Sequence, residues 1–81
     1  MHQTIAASFN TRTHAYHGAL TVPKALRRLL RVKAGKAVSL WIEDDAGKAI
    51  ASTTTLTRHN RVNVEGLKPH TAVRVVISRA T

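Results

Sequence analysis

The 81-residue chain contains no cysteine, which excludes a disulfide framework and any thiolate metal site. It has one phenylalanine, one tyrosine and one tryptophan, too few for the stacking platforms that bind single-stranded nucleic acids. No apolar run approaches the roughly 18 residues of a membrane-spanning helix, and the first residues lack the basic and apolar regions of a secretory signal. We therefore expect a single small cytoplasmic domain with one modest core and no membrane partner.

Acidic residues are equally scarce. Four Asp and Glu stand against thirteen Lys and Arg, which gives a formal net charge of +9. Three of the four acids are consecutive, at residues 43–45, as expected of a solvated hairpin tip. The remaining surface is almost uniformly basic and attracts polyanions, so DNA or RNA is the favoured partner. Charge that serves only solubility, and attraction to an anionic membrane, are the alternatives.

The chain carries no pattern typical of catalysis. It has no glycine-rich phosphate loop, nucleophile elbow or acid–base constellation. His14 and His17 have a spacing that metal sites use, but the sequence places no third ligand beside them. Loop histidines near a phosphate group are the better interpretation. We expect a protein that is not an enzyme and that needs no cofactor or metal.

The most informative segment runs from residue 21 to residue 38. Residues 19–22 are typical of a strand, and Pro23 suits the first position of a helix because its missing N–H is not needed there. A helix over 23–31 places apolar and basic residues on opposite arcs. The apolar arc contains Val22, Leu26, Leu29 and Leu30, and the basic arc contains Lys24, Arg27, Arg28 and Arg31. We expect Leu26, Leu29 and Trp41 to lie in the core.

The rest of the chain predicts strands joined by turns, which makes the protein mostly β with one short α-helix. The predicted strands are 3–9, 19–22, 37–42, 49–56, 62–64 and 72–77. Two of the connections are distinctive turns: an acidic one at 43–48, and a basic one at 58–61, where asparagine tolerates left-handed backbone geometry.

An internal repeat organises these strands. Residues 32–42 align with residues 67–77, and residues 20–22 align with residues 62–64. The offset differs by seven residues between the two blocks, which is about two helical turns. We therefore predict one domain over 1–81, with a first half at 3–47 that contains the helix and a second half at 48–81 that lacks it. The alternative is that two valine-rich hairpins align by chance.

The run from Gly18 to Leu30, followed by Val32-Lys33-Ala34-Gly35, resembles the AbrB/MazE/SpoVT swapped-hairpin family. The pattern of that family is Gly-Gln-Val-Thr-Ile-Pro-Lys-x-Ile-Arg-x-x-Leu-Gly-Ile-Lys-Pro-Gly-Asp. The resemblance implies a small DNA-binding barrel of a bacterial or archaeal transcription factor or antitoxin, usually built from two chains that exchange hairpins.

The chain departs from the family pattern at several positions. Arg31 stands where the family has a glycine after the helix, Lys36 where it has an aspartate, and Ala19 where it has a glutamine. These departures make the chain more basic. Because one chain carries two copies of the unit, a single-chain pseudo-dimer is an alternative to the two-chain barrel. The protein is then a monomer or a homodimer.

The predicted function is a nucleoid-associated transcriptional regulator or antitoxin that binds duplex DNA, with a toxin as a further partner left open. Arginine and asparagine suit guanine and adenine edges, and arginine suits phosphate. The predicted DNA contacts are Arg12, Lys24, Arg27, Arg28, Arg31, Arg58, Asn60 and Arg61. The alternative function is a small β-barrel interaction module that binds an acidic protein partner.

Overall fold

The computed structural model describes residues 5–80, so residues 3, 4 and 81 of the predicted halves lie outside the described part. The described chain is mostly β with one short helix. In chain order its elements are β1 (Ala6–Arg12), β2 (Leu20–Thr21), α1 (Lys24–Leu30), β3 (Ala37–Asp44), β4 (Ala49–Thr55), β5 (Arg61–Val62) and β6 (Ala72–Arg79).

The strands form two antiparallel sheets. The larger sheet has the order β1-β6-β3-β4, so that β6 and β3 are central and β1 and β4 are its edges. The smaller sheet consists of β2 and β5. Alternate residues of β3 and β6 face inward and are buried, and they form one cluster with residues of the smaller sheet. The core members from these strands and the residues next to them are Leu20, Val22, Val38, Leu40, Ile42, Val62, Val64, Val73, Val75 and Ile77.

The strand register relates the two halves by an approximate two-fold axis. Trp41 of β3 pairs with Val76 of β6, which is its own counterpart in the repeat. Leu20 of β2 likewise pairs with its counterpart Val62 of β5. An antiparallel pair in which a residue faces its own equivalent has a local two-fold axis at that position. The same relation places β1 onto β4 from end to end, because β1 pairs with β6 as β4 pairs with β3.

Backbone conformation supports the same correspondence independently of strand pairing. Arg31 (φ 55°) and Gly66 (φ 90°) are equivalent positions, and so are Gly35 (φ 91°) and His70 (φ 54°). All four residues are left-handed, a conformation that disfavours residues with a side chain. Each half therefore has left-handed residues at the same two places, with glycine at one place and a larger residue at the other.

Helix α1 is an insertion into the first half. It consists of seven residues, Lys24–Leu30, the number by which the offset of the repeat changes. Pro23 precedes it with extended geometry, and its carbonyl accepts hydrogen bonds from the N–H groups of Leu26 and Arg27. The left-handed Arg31 ends it. The predicted helix over 23–31 is therefore one residue too long at each end, and Arg31 is not part of the basic arc.

Two residues predicted for the core are exposed. Leu29 is 54 % exposed and Trp41 is 46 % exposed, whereas Leu30 is 2 % exposed. The helix buries Leu30 and half-buries Leu26, and a residue one step away along the helix points about 100° elsewhere. Trp41 lies between the inward-facing Leu40 and Ile42, and alternation along a strand sends its side chain to the outer face.

Candidate nucleic-acid interface

The smaller sheet and its flanking loops carry several of the basic residues predicted to contact DNA, and this surface is called the basic face. Thr21 of β2 is exposed and lies opposite Arg61 of β5. Each strand is preceded by a loop closed by a backbone hydrogen bond: His14 N–H to the Ala19 carbonyl (3.1 Å) in the first half, and Thr57 N–H to the Arg61 carbonyl (2.9 Å) in the second. The two bonds are equivalent in the repeat, so the ladder carries one such loop on each side.

The first loop is fixed at its base. Thr13 is 3 % exposed; its Oγ1 donates to the Lys68 carbonyl (2.7 Å) and accepts the Thr71 N–H (2.8 Å). Gly18 packs so closely that a Cβ there would lie 2.5 Å from the carbonyl oxygen of Leu67. Residues 15–17 between these anchors are exposed, and Tyr16 is 96 % exposed.

Two histidines of this loop lie together beside the ladder. The ring centroids of His14 and His17 are 5.1 Å apart, and His14 Nε2 is 3.0 Å from Thr21 Oγ1. Partial burial lowers the pKa of His14 below its ordinary value of 6.5, and the positive charges of Arg61 and His17 lower it further. The surroundings of His14 are therefore positive.

The second loop contacts the segment that precedes α1. Thr57 Oγ1 accepts the N–H groups of His59 and Arg61 (3.3 and 3.2 Å), which closes the turn. The left-handed Asn60 uses its carbonyl to accept the Val22 N–H (2.9 Å). Arg27 Nε donates to the carbonyl of Val22 (3.2 Å) and is half-buried. Arg27 is therefore held against the segment that precedes α1. The helical pattern predicts a solvated basic arc that includes Arg27, and for this residue that prediction is wrong.

Arg12 extends the face from the other side. It stands at the end of β1, and its Nη1 donates to the carbonyl of His70 (3.4 Å). The N–H of His70 in turn donates to the carbonyl of His14 (3.0 Å). Arg12 therefore lies next to the loop that carries the two histidines.

The structure thus gathers most of the predicted DNA contacts around the β2–β5 ladder. Arg12, Arg27, Asn60 and Arg61 are connected to it through the hydrogen bonds just described, and the exposed Arg58 sits on the second loop. Lys24, Arg28 and Arg31 are exposed on α1 or directly after it. Thr21 and Tyr16 were not identified as site residues from the sequence. Only their positions could have indicated them: Thr21 lies on a short strand, and Tyr16 lies at a loop tip between two histidines.

The acidic turn has a structural role of its own. Asp44 Oδ1 accepts the N–H groups of Ala46 (3.0 Å) and Lys48 (2.9 Å), which closes the hairpin between β3 and β4. Among residues 5–80, no group of three or more His, Asp or Glu side chains is arranged to hold a metal ion. Within the same residues, no helix has the length and apolar composition to cross a bilayer.

No family model matches the chain, and no curated protein or solved structure matches it either. The resemblance to the swapped-hairpin family therefore stays a prediction that rests on residues 18–35.

Proposed function

We propose that the protein is a DNA-binding transcriptional regulator or antitoxin with an AbrB-like swapped-hairpin architecture, and that it binds duplex DNA through the face around the β2–β5 ladder. The observation that carries this proposal is the convergence of Arg12, Arg27, Arg61 and the loop histidines on one face. Lysine and arginine bind nucleic acids chiefly by neutralising phosphates and releasing counterions. Arginine and asparagine on the second loop then supply limited contact with base edges.

The two-fold relation between the halves also supports a duplex as the ligand. A duplex has a dyad axis of its own, and two-fold proteins use matching loops on either side of it. The loops at residues 13–19 and 56–60 occupy such related positions beside the ladder. They differ in sequence, so the two sides of the binding site are unequal.

We further propose that one chain supplies both halves of the barrel, as a single-chain pseudo-dimer. The direct pairing of β2 with β5 and of β3 with β6 supports this arrangement. The free edges of β1 and β4 leave a place for a second chain, so a homodimer is the alternative. The molar mass measured by light scattering at micromolar concentration, with and without DNA, decides between them.

The DNA-binding test is a salt titration with a fluorescent mixed-sequence duplex, followed by anisotropy. We expect binding at low ionic strength that weakens steeply with salt, with a slope of about 0.9 for each phosphate contact. Arg61→Gln should weaken binding and lower the slope by about one contact. The matched control is Lys48→Gln, which removes the same charge at the acidic hairpin.

Several results would count against the proposal. Absence of binding at low ionic strength would remove the function, and a slope unaffected by Arg61→Gln would remove this face. The alternative function, binding of an acidic protein partner, is tested in the same assay with polyglutamate as competitor. Polyglutamate that displaces the duplex at equal charge concentration would favour the interaction module.

A further inference from the structure

We propose that His14, His17 and Arg61 form a subsite for one phosphate group, which the backbone of bound DNA occupies and which takes up protons as it fills. This inference rests on the proposed function for the identity of the ligand. The subsite itself is defined by geometry alone, and it can be tested with inorganic phosphate.

The three side chains of the subsite come from two elements. His14 and His17 come from the fixed loop between β1 and β2, with ring centroids 5.1 Å apart. Arg61 comes from β5, directly opposite Thr21, and Thr21 Oγ1 lies 3.0 Å from His14 Nε2. The planar guanidinium of arginine binds two oxygens of a phosphate at once, and protonated imidazoles are further charged donors.

Thr21 links the protonation of His14 to the capacity for binding anions. When the neutral ring carries its proton on Nδ1, Nε2 accepts a hydrogen bond from the Thr21 hydroxyl. The hydroxyl then has no proton left to donate to a phosphate oxygen. When both ring nitrogens carry protons, Nε2–H donates to Thr21 Oγ1 and the hydroxyl proton becomes free. Protonation of His14 therefore adds a positive charge and releases a second donor for a phosphate oxygen.

The groups that surround His14 favour an anion over a cation. Arg61 faces it from β5 and His17 from its own loop, and both disfavour its protonated form. From the turn before β6, His70 presents its backbone N–H to the carbonyl of His14, and Arg12 is bonded to the carbonyl of His70. Since these neighbours are cationic or neutral, a bound phosphate would offset their repulsion, and the pKa of His14 would rise on binding.

The first arm of the test measures proton uptake when the full-length protein binds duplex DNA. Titration calorimetry at pH 7 in two buffers of different ionisation enthalpy yields the number of protons taken up. We expect uptake in the wild type, and affinity that increases as the pH falls from 8 to 6, by about tenfold for each pKa unit by which binding raises a histidine. His14→Gln and His17→Gln should each reduce the uptake.

The matched control is His59→Gln, which removes an exposed histidine of the second loop and should leave proton uptake as in the wild type. Full uptake in both His14→Gln and His17→Gln would overturn the subsite. An equal loss in His59→Gln would do the same, because it would show that any histidine near the DNA responds.

The second arm separates failure of the subsite from failure of the proposed function. Inorganic phosphate is titrated into the protein, and the ring resonances of the histidines are followed by NMR. We expect His14 and His17 to shift in a saturable way that Arg61→Gln weakens, with little change at His59. If the duplex does not bind but these shifts occur, the DNA-binding function fails and the subsite stands. If neither arm responds, the subsite is wrong.

Discussion

The two halves of the chain build the same β frame, but only the first half contains a helix. Strands β1, β2 and β3 correspond to β4, β5 and β6, whereas α1 has no counterpart between β5 and β6. The frame therefore closes without a helix in the second half. What α1 adds to the first half is Leu30 in the core and a group of basic residues at the surface. The comparison teaches that the helix modifies a frame whose pairing is set by the strands.

The two halves also differ in how they bury one pair of equivalent residues. Thr13 and Leu56 are equivalent, and the N–H of each donates to an equivalent carbonyl, that of Thr71 (2.9 Å) and that of Lys36 (2.9 Å). Leu56 is fully buried by apolar contacts. Thr13 is buried as well, but its hydroxyl makes two hydrogen bonds to the turn at residues 68–71. The hydrogen bonds of Thr13 therefore attach the loop that carries His14 and His17 to the turn before β6.

The largest expected effect on stability comes from weakening the packing of α1 against the strands. Leu30→Ala should lower the free energy of unfolding by about 2–5 kcal/mol, since it removes buried methyl groups and leaves a cavity. The control Leu29→Ala alters an exposed side chain on the same helix and should change it by less than about 0.5 kcal/mol. Urea unfolding of the two variants provides the measurement. Equal costs would show that the helix packs in another register.

A smaller effect is expected from substitutions at the left-handed positions of the first half. Gly35→Ala should cost about 1–2 kcal/mol through backbone strain alone, because a Cβ there meets nothing within 4 Å. Arg31→Gly should stabilise the protein by up to about 1 kcal/mol, since glycine relieves that strain at some cost in chain entropy. Thermal and urea unfolding measure both changes. A destabilising Arg31→Gly would show that contacts of the arginine side chain outweigh its backbone strain.

The smallest expected effect concerns pH, and it distinguishes His14 from its counterpart Thr57, which does not titrate in this range. The pKa of His14 is lower in the folded protein than in the unfolded chain, so the unfolded chain takes up the proton more readily. The stabilisation is complete above about pH 7 and is lost as the pH falls through 6.5 and below. The free energy of unfolding at pH 7.5 and pH 5.5 should differ less in His14→Gln than in the wild type. A His59→Gln variant with the same flattened response would contradict the assignment to His14.

Much of the frame could be predicted from the sequence, because it depends on local patterns. Strand-forming residues such as Val38 and Ile42 indicated β3, and the alternation of Val73 and Val75 around Arg74 indicated β6. Pro23 with the following leucines indicated α1. The seven-residue change in offset predicted where the second half lacks a helix. The core positions of Leu29 and Trp41 were wrong for a shared reason: both residues are large and apolar, but the phase of a short helix and of a strand is decided by which neighbours pack inward.

The basic face could be predicted only in part. The sequence indicated the cations one by one, and most of them do lie around the β2–β5 ladder. Their proximity depends on contacts between distant segments, such as the hydrogen bond from the Val22 N–H to the Asn60 carbonyl and the one from Arg12 to the His70 carbonyl. No local pattern encodes those contacts. The proximity of His14 to Arg61 arises in the same way, from the pairing of β5 with β2, whereas the contact of His14 with Thr21 lies within one short loop.

The only tryptophan of the chain marks the opposite side of the molecule from the basic face. Trp41 lies at the centre of the outer face of the larger sheet, among small side chains such as Ser39 and Ala51, and the core separates it from the β2–β5 ladder. Its intrinsic fluorescence is therefore a built-in optical probe. We expect emission from this half-exposed indole to stay constant when a ligand occupies the ladder, and to shift to shorter wavelength when another protein surface covers the sheet. A single emission spectrum thus tells which side of the protein is engaged.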